Sequence, residues 1–274
     1  MSLSGHLDLT CALDERGVSH LSAQSFAAPI HLSKPHLDEG VLVVNVVNPT
    51  AGLLSGDRIA CRVAVQSGAA LSLTTPSATR AHRMRDGLAE VTQDLRVATG
   101  GWLECWPEPF IPQGGTRYRQ RTRMHVEEGG GLLFCESLAP GRVASGESFE
   151  FTELAWETDI FIGETHVVHE RYRLRPDDEA VRALRRSFKH AYYASCFVVS
   201  PTLTRDLPCW QRLHALHSSE AWIGCGALSH GGWVVKIVAN GSIALRRTLA
   251  AVRSELHAAI ARRPPSLRRA GWLY

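Results

Sequence analysis

Alternation between apolar and polar side chains recurs along most of the chain, and this period of two constrains the fold more than any other feature. In residues 58–66, one parity carries Ile59, Cys61, Val63 and Val65, while the other carries small or polar side chains. Such alternation is typical of a half-buried β-strand. The same pattern recurs in residues 90–98, 102–106, 116–126, 131–136, 147–157 and 167–174. Many short strands at roughly even spacing predict a predominantly all-β protein, built as a sandwich or as stacked multi-stranded β-sheets.

Short turn signals separate these predicted strands. Ser67 and Gly68 follow the first strand, and residues 71–75 continue the alternation, so we expect residues 58–75 to form a hairpin. Near the C-terminus, two further strands are expected around a turn at residues 229–232.

Helical periodicity is confined to the C-terminal third, where we expect about two helices. Asp206 is a candidate cap for a short helix with Trp210 and Leu213 on its apolar face. A second helix is predicted at about residues 243–262, where leucine, valine and isoleucine recur at spacings of three or four. No repeat, low-complexity tract or flexible linker divides the chain, so we expect residues 1–274 to form a single domain.

The composition is that of an ordinary globular protein. The 274 residues carry a formal net charge of +3, which is too small to indicate a nucleic-acid-binding protein. No apolar run approaches the roughly 20 residues of a membrane span, and the N-terminus lacks the pattern of a secretory signal. The seven cysteines form no C-x-x-C pair, which argues against a disulfide framework and a structural zinc site. We therefore expect a cytoplasmic protein.

The stretch AGLLSGDR, residues 51–58, raises the question of a phosphate-binding loop. A Walker loop needs a lysine and then a serine or threonine after its last glycine, whereas Asp57 and Arg58 follow Gly56. An acid at this point would repel phosphate. Gly52 and Gly56 are better interpreted as turn residues that supply positive φ before a strand.

The stretch HVVHE offers two histidines and a glutamate as metal ligands. In a strand, His166 and Glu170 would point one way and His169 the other, so we expect no single site to use both histidines. His214 and His217 lie one helical turn apart but have no evident third ligand. A metal-dependent hydrolase that uses His166, Glu170 and a distant histidine is the alternative from a different functional class. No catalytic motif such as a G-x-S-x-G elbow is present, so the residues alone do not support catalysis, but they do not exclude it because catalytic triads assemble in space.

Four arginines lie at strict period two and place their guanidinium groups on one face of a strand. They are Arg117, Arg119, Arg121 and Arg123. Glutamates at one parity within residues 147–157 could pair with them across strands inside the fold. An acidic partner protein is a second explanation, and nucleic acid is a third.

Five blocks, in this order, resemble the UreD (also called UreH) family of urease accessory proteins. They are FAAPIHLSKPHLDEG, VVNPTAGLLSGDRI, LSLTTPSATRAHRM, GWLECWPEPFIPQGGTRYRQRTRMHV and CESLAPGRVASGESF. The last block is the most specific, because an acid, then Gly-Arg and then Gly-Glu follow one another. The resemblance covers roughly residues 7–174. Ala51 and Arg80 stand where the family commonly has glycine and lysine.

The resemblance implies a non-enzymatic, predominantly β scaffold that helps to deliver nickel to urease. It implies as partners a helical accessory protein of the UreF type, a nickel-carrying GTPase of the UreG type and apo-urease, with neither nucleic acid nor membrane. It implies transient Ni²⁺ and no tightly bound cofactor. A passage for nickel needs oxygen ligands that release the ion again. Carried over from the family motifs, the residues of this passage are Asp57, Thr79, Glu136 and Glu170.

The same motifs imply residues for partner contacts or local structure. We expect Arg142 and Glu147 to fix the glycine-rich loop between them by hydrogen bonds or an ion pair. The full set comprises Gly52, Gly56, Arg117, Arg119, Arg121, Gly141, Arg142, Gly146 and Glu147. An accessory role for a different metalloenzyme is the alternative at this point.

Overall fold

Two stacked β-sheets and a layer of helices make up the computed structural model, which describes residues 2–267. With strands numbered in chain order, the seven-stranded sheet, called sheet I, consists of β1 (Ser4–Leu13), β2 (Ser19–Ala27), β6 (Arg58–Val65), β9 (Ala89–Val97), β12 (Arg117–Val126), β14 (Glu153–Ile162) and β15 (Thr165–Leu174). The eleven-stranded sheet, called sheet II, consists of β3 (His31–Leu32), β4 (His36–Asp38), β5 (Val41–Val47), β7 (Ala70–Thr74), β8 (Thr79–Ala81), β10 (Trp102–Cys105), β11 (Phe110–Pro112), β13 (Gly131–Leu138), β16 (Tyr192–Val199), β17 (Ala221–Ala227) and β18 (Gly232–Ala239). The helices are α1 (Glu179–Ser187), α2 (Cys209–His214) and α3 (Ser242–Ala259), and a single 3₁₀ turn covers Val143–Ser145. The prediction of a predominantly β protein with stacked sheets is confirmed.

The chain winds between the two sheets in the manner of a solenoid. In sheet I, the neighbours β6, β9, β12 and β14 are parallel, and in sheet II the neighbours β7, β10 and β13 are parallel. The predicted hairpin at residues 58–75 is therefore wrong, because β6 and β7 belong to different sheets. The turn at Ser67 and Gly68, where Gly68 has a φ of +75°, carries the chain from sheet I to sheet II. Alternation shows which side of a strand is buried but not which strand it pairs with.

Several predicted elements form with shifted bounds. The helix expected near Asp206 begins at Cys209 and ends at His214, so His217 lies outside it. The strand expected at residues 147–157 begins only at Glu153, and the residues before it form a loop. The antiparallel pair β17 and β18 and the long helix α3 are confirmed. No helix within residues 2–267 has both the length and the apolar character needed to cross a bilayer.

Apolar side chains pack in three clusters that leave a gap between the sheets. One cluster between the sheets includes Phe134 and Ile160, and a second, toward the other end, includes Tyr118 and Trp156. The third cluster lies between sheet II and the helices α2 and α3, and includes Val252. On β14, for example, Trp156 belongs to one of the first two clusters and Ile160 to the other, so the position between them at the same parity, Thr158, lies between the clusters.

A buried ion pair fastens α3 to sheet II. Glu104 on β10 is fully buried and accepts hydrogen bonds from Arg253 Nε at 2.5 Å, Arg253 Nη2 at 3.0 Å and Ser72 Oγ at 3.2 Å. The Nε2 atom of His257 lies 3.3 Å from the same carboxylate. Burial opposes ionisation of Glu104, but the bonds from His257 and Arg253 outweigh it and lower its pKa.

Candidate functional site

A row of polar side chains crosses the interior between the two apolar clusters. This polar row consists of Gln93, Gln120, Thr122, Thr158 and Glu170 from sheet I and Glu136, Ser195 and Lys236 from sheet II. Backbone register aligns most of these residues, since Thr122 lies opposite Thr158, and Thr158 opposite Glu170. In sheet II, Glu136 lies opposite Ser195, and Ser195 opposite Lys236. Polar groups in such a place need hydrogen-bond partners, because an unpaired buried polar group costs free energy.

Glu136 is the acid at the centre of the polar row. Its Oε1 atom accepts a hydrogen bond from Gln120 Nε2, and Thr158 also bonds to the carboxyl group. Gln120 is held in turn, because its Oε1 accepts from Tyr118 Oη at 2.6 Å and its Nε2 lies 3.2 Å from Thr122 Oγ1. Burial raises the pKa of Glu136 to about 8, and the nearby Glu170 carboxylate adds to this rise. At neutral pH, Glu136 therefore carries a proton in most molecules.

Glu170 and Lys236 form the end of the polar row nearest to solvent. Lys236 Nζ donates to Glu170 Oε1 and, at 3.0 Å, to the hydroxyl of Tyr193. The side chain of Glu170 is 23% exposed and that of Lys236 is 40% exposed. Because β15 is the edge strand of sheet I, this end of the row reaches the molecular surface between the sheets.

A cavity of about 210 Å³ lies beside the polar row. Thr79, Gln93, Gln120 and Glu136 are among the polar residues of its mostly apolar wall. It adjoins a groove of about 1000 Å³ along α3, because five residues line both spaces. These shared residues are Thr74, Thr75, Pro107, Glu108 and Ser137. The structure thus brings Thr79 and Glu136 to one cavity that adjoins the α3 groove, whereas Glu170 does not line this cavity.

Asp57 lies apart from this cavity. Its Oδ1 accepts the backbone N–H of Leu3 at 2.8 Å, and its Oδ2 accepts the N–H of Leu54 at 2.8 Å. The side chain is buried and does not line the cavity. Gly52, with a φ of +138°, leaves no room for a Cβ, which would stand 2.5 Å from the carbonyl oxygen of Arg80. The glycine turn is thus tightly packed, and Asp57 connects it by a hydrogen bond to Leu3, next to β1. Gly56 in the same turn has a φ of +84°.

Arg142 and Glu147 form an ion pair across the glycine-rich loop. Arg142 Nε donates to Glu147 Oε2 at 2.7 Å, and Nη2 donates to Oε1 at 2.5 Å. The φ of Gly141 is +151°, and that of Gly146 is +81°. Hydrogen bonds to Arg142 lower the pKa of Glu147, while burial opposes this. Glu147 therefore stabilises this loop and does not pair with the arginines of β12.

The arginines of β12 lie on the outer face of sheet I and find partners on neighbouring strands. Arg119 Nη1 lies 3.1 Å from Glu90, and Arg121 Nε lies 3.6 Å from Glu157. Within residues 2–267, neither Arg117 nor Arg123 has an acidic group inside 4.0 Å. Internal ion pairs thus account for Arg119 and Arg121 in the middle of this row of four arginines, whereas Arg117 and Arg123 at its ends face solvent.

His166 and His169 lie on the same face, so the expectation that they point in opposite directions is wrong. A β-bulge after Ile160 pairs Phe161 with His166 and Ile160 with Val168, which leaves one extra residue in β15. Both imidazoles then contact the Asp159 carboxylate on the outer face. Glu170 points inward instead. A hydrolase site that combines His166 with Glu170 is therefore excluded by the geometry.

The sequence reasoning missed Lys236, Gln120 and Thr158, although a signal for them exists. Gln120 and Thr158 occupy the buried parity of their strands, a parity that is otherwise mostly apolar. Lys236 is one of only three lysines and interrupts the apolar run of β18. A polar residue at the buried parity of a strand is thus the signal for an interior polar site.

Comparison with known proteins gives one family. The family described as "UreD urease accessory protein" matches residues 3–271. The chain is 40% identical over 267 residues to "Urease accessory protein UreD" of Opitutus terrae, covering 96% of this chain and 97% of the relative. It is 29% identical over 260 residues to the protein of the same name from Halalkalibacterium halodurans, covering 90% and 95% of the two chains. These relatives are named as accessory proteins and not as enzymes.

Proposed function

Since the chain belongs to the UreD family of urease accessory proteins, we propose that it is a non-enzymatic scaffold that lets Ni²⁺ pass through its interior to apo-urease. The observation that carries the proposal is the polar row, in which Glu136 lines a cavity that adjoins the α3 groove. At the other end of the row, Glu170 is close enough to act on the charge of Glu136 and is 23% exposed. Nickel is the cargo of this process and does not reside in the protein.

The donor atoms of the polar row suit transient binding of a divalent cation. Carboxylate, amide and hydroxyl oxygens from Glu136, Gln120 and Thr79 line the cavity wall. Oxygen donors of this kind hold Ni²⁺ less tightly than imidazole or thiolate groups. Because the raised pKa keeps Glu136 protonated near pH 7, an entering cation has to displace that proton. Competition with a proton weakens binding further and favours release.

Lys236 sets the charge at the outer end of the proposed passage. Its ammonium neutralises Glu170 in the absence of the cation. A Ni²⁺ ion at Glu170 would repel Lys236, whose side chain is exposed enough to move toward solvent. We therefore assign Glu170 to the mouth of the passage and Glu136 to its middle, and we leave Asp57 out of it.

The proposed partners are a helical UreF-type accessory protein, a UreG-type GTPase that carries nickel, and apo-urease. The membership in the urease accessory family supports the class of partner, and the cytoplasm is the proposed setting. Arg117 and Arg123, which have no acidic group within 4.0 Å in the described part of the chain, offer positive charge to an acidic partner surface.

Replacement of Glu136 tests the passage. In cells that carry the urease genes but lack this protein's own gene, we expect Glu136→Gln to lower urease activity and the nickel content of urease about tenfold or more. The neutral amide keeps the size and the hydrogen bond to Gln120 but cannot become an anionic ligand. Activity and urease-bound nickel are measured together after complementation.

Glu164→Gln is the matched control, because Glu164 is exposed in the turn between β14 and β15. We expect it to restore urease fully. Complex formation of each variant with the accessory partner is measured by co-purification. Full activation by Glu136→Gln, with normal complex formation, would refute the passage while leaving the scaffold role standing.

A further inference from the structure

A cluster of two histidines and one aspartate on the outer face of sheet I stands apart from the polar row. The Nε2 atom of His166 lies 2.8 Å from Asp159 Oδ1, and the Nδ1 atom of His169 lies 2.9 Å from the same oxygen. One donor atom from each of the three residues lies within 4.8 Å of the others. We propose that Asp159, His166 and His169 form a surface binding site for a divalent transition-metal ion of the Ni²⁺, Zn²⁺ and Cu²⁺ class.

The donor spacing suits one metal ion bound by all three groups. Two ligands at right angles and about 2.1 Å from a metal are about 3.0 Å apart. The distances of 2.8 and 2.9 Å from the carboxylate to the two imidazoles are close to this value. Two imidazoles and one carboxylate leave the remaining coordination positions to water, and this donor set favours Ni²⁺, Zn²⁺ or Cu²⁺ over Mg²⁺ or Ca²⁺.

The strands hold these ligands in place before a metal ion arrives. Asp159 lies directly opposite His169 in the β14–β15 ladder, and the bulge rotates His166 onto the same face. The ring of His166 stacks on Phe161 at 4.4 Å between centroids and 12° between planes, and Phe161 stacks on His125 at 4.6 Å. Such fixed rings lower the entropy cost of binding.

The exposure of the three side chains gives a metal ion access from solvent. The side chain of Asp159 is 15% exposed, whereas those of His166 and His169 are 42% and 51% exposed. The carboxylate thus lies under two accessible imidazoles. Before binding, each contacting ring nitrogen donates its N–H to Asp159. On binding, that nitrogen gives its proton to the other ring nitrogen or to water and presents its lone pair to the metal.

This site does not rest on the proposed passage. Glu170 follows His169 directly in the sequence but points into the interior, on the other side of sheet I. The two sites therefore share no ligand, and variants can separate them.

Cu²⁺ serves as the probe, because it binds such donor sets tightly and reports nitrogen ligands in electron paramagnetic resonance spectra. The full chain is purified without a histidine tag. We expect the first equivalent of Cu²⁺ to show coupling to two nitrogens in the wild-type protein. In the double variant His166→Gln/His169→Gln, we expect loss of this coupling and affinity at least about tenfold weaker, with Zn²⁺ and Ni²⁺ affinities falling in parallel in titration calorimetry.

The double variant His214→Gln/His217→Gln is the matched control, since it removes two exposed histidines that join no three-donor group among residues 2–267. We expect it to bind like the wild type. Asp159→Asn keeps both imidazoles and should weaken binding by about tenfold. An unchanged first-equivalent spectrum in His166→Gln/His169→Gln, or loss of the two-nitrogen coupling in His214→Gln/His217→Gln, would overturn the proposal. Circular dichroism and the thermal midpoint verify that each variant is folded.

Discussion

Arg253→Met is expected to lower the free energy of unfolding by about 3–5 kcal/mol. The substitution keeps most of the apolar stem but removes the guanidinium that donates two hydrogen bonds to Glu104. Glu104 is fully buried, and His257 and Ser72 would be left as its partners. A buried carboxylate that loses its cation retains the cost of desolvation without the compensating attraction. Urea unfolding at pH 7 measures the loss.

Two further variants separate this mechanism from a general effect of changing α3. Arg247→Met changes an exposed arginine on the same helix, and we expect it to alter stability by less than about 0.5 kcal/mol. The double variant Glu104→Leu/Arg253→Met removes both charges, and we expect it to recover much of the stability that Arg253→Met loses. If Arg253→Met unfolds at the same urea concentration as the wild type, the ion pair does not fasten α3.

If α3 detached from sheet II, the shape of the proposed passage would also change. The groove beside the interior cavity is lined by Leu245, Leu249 and Arg253 of this helix. A loosened α3 would therefore open one side of the route and expose its apolar face. For this reason, urease activation by Arg253→Met cannot be interpreted as an effect on nickel alone, and Glu136 is the better position for testing transport.

Sequence patterns predicted the strands and the long helix because these depend on local periodicity. The apolar positions of α3, such as Leu245 and Val252, recur with the helical period, and the inward residues of β12 recur with a period of two. Pairing between strands depends on residues far apart in the chain. The parallel ladder of β6 and β9 therefore escaped prediction, and the Ser67–Gly68 turn was misinterpreted as a hairpin.

The candidate sites also differ in how far the sequence alone could predict them. The family motifs pointed to Thr79 and Glu136, which the fold brings to one cavity, but they also pointed to Asp57, whose oxygens bond to backbone N–H groups. The histidine pair was misjudged because one inserted residue in β15 reverses the parity of everything beyond it. A bulge has no sequence signature in HVVHE, so only the three-dimensional register reveals it.

Glu136→Gln is expected to change how stability depends on pH. The pKa of Glu136 is raised to about 8 in the folded protein, from 4.5 in the unfolded chain. Between these values the folded state keeps a proton that the unfolded state releases, so stability of the wild type falls as pH rises and levels off above pH 8. The amide has no proton to lose. The variant should therefore gain stability relative to the wild type by about 1.4 kcal/mol per pH unit across this window.

Urea unfolding of both proteins at intervals from pH 5 to pH 9 measures this difference in the free energy of unfolding. Glu164→Gln, the same substitution at an exposed glutamate, is the control. If the difference in the free energy of unfolding between Glu136→Gln and the wild type did not change with pH, Glu136 would ionise at its ordinary pKa. The result bears on the proposed passage, because a protonated Glu136 would release one proton for each Ni²⁺ that it bound. Such an exchange would reduce the added charge that the interior must accommodate from two units to one. A mostly apolar cavity would then need no permanent cluster of carboxylates to accommodate a divalent ion.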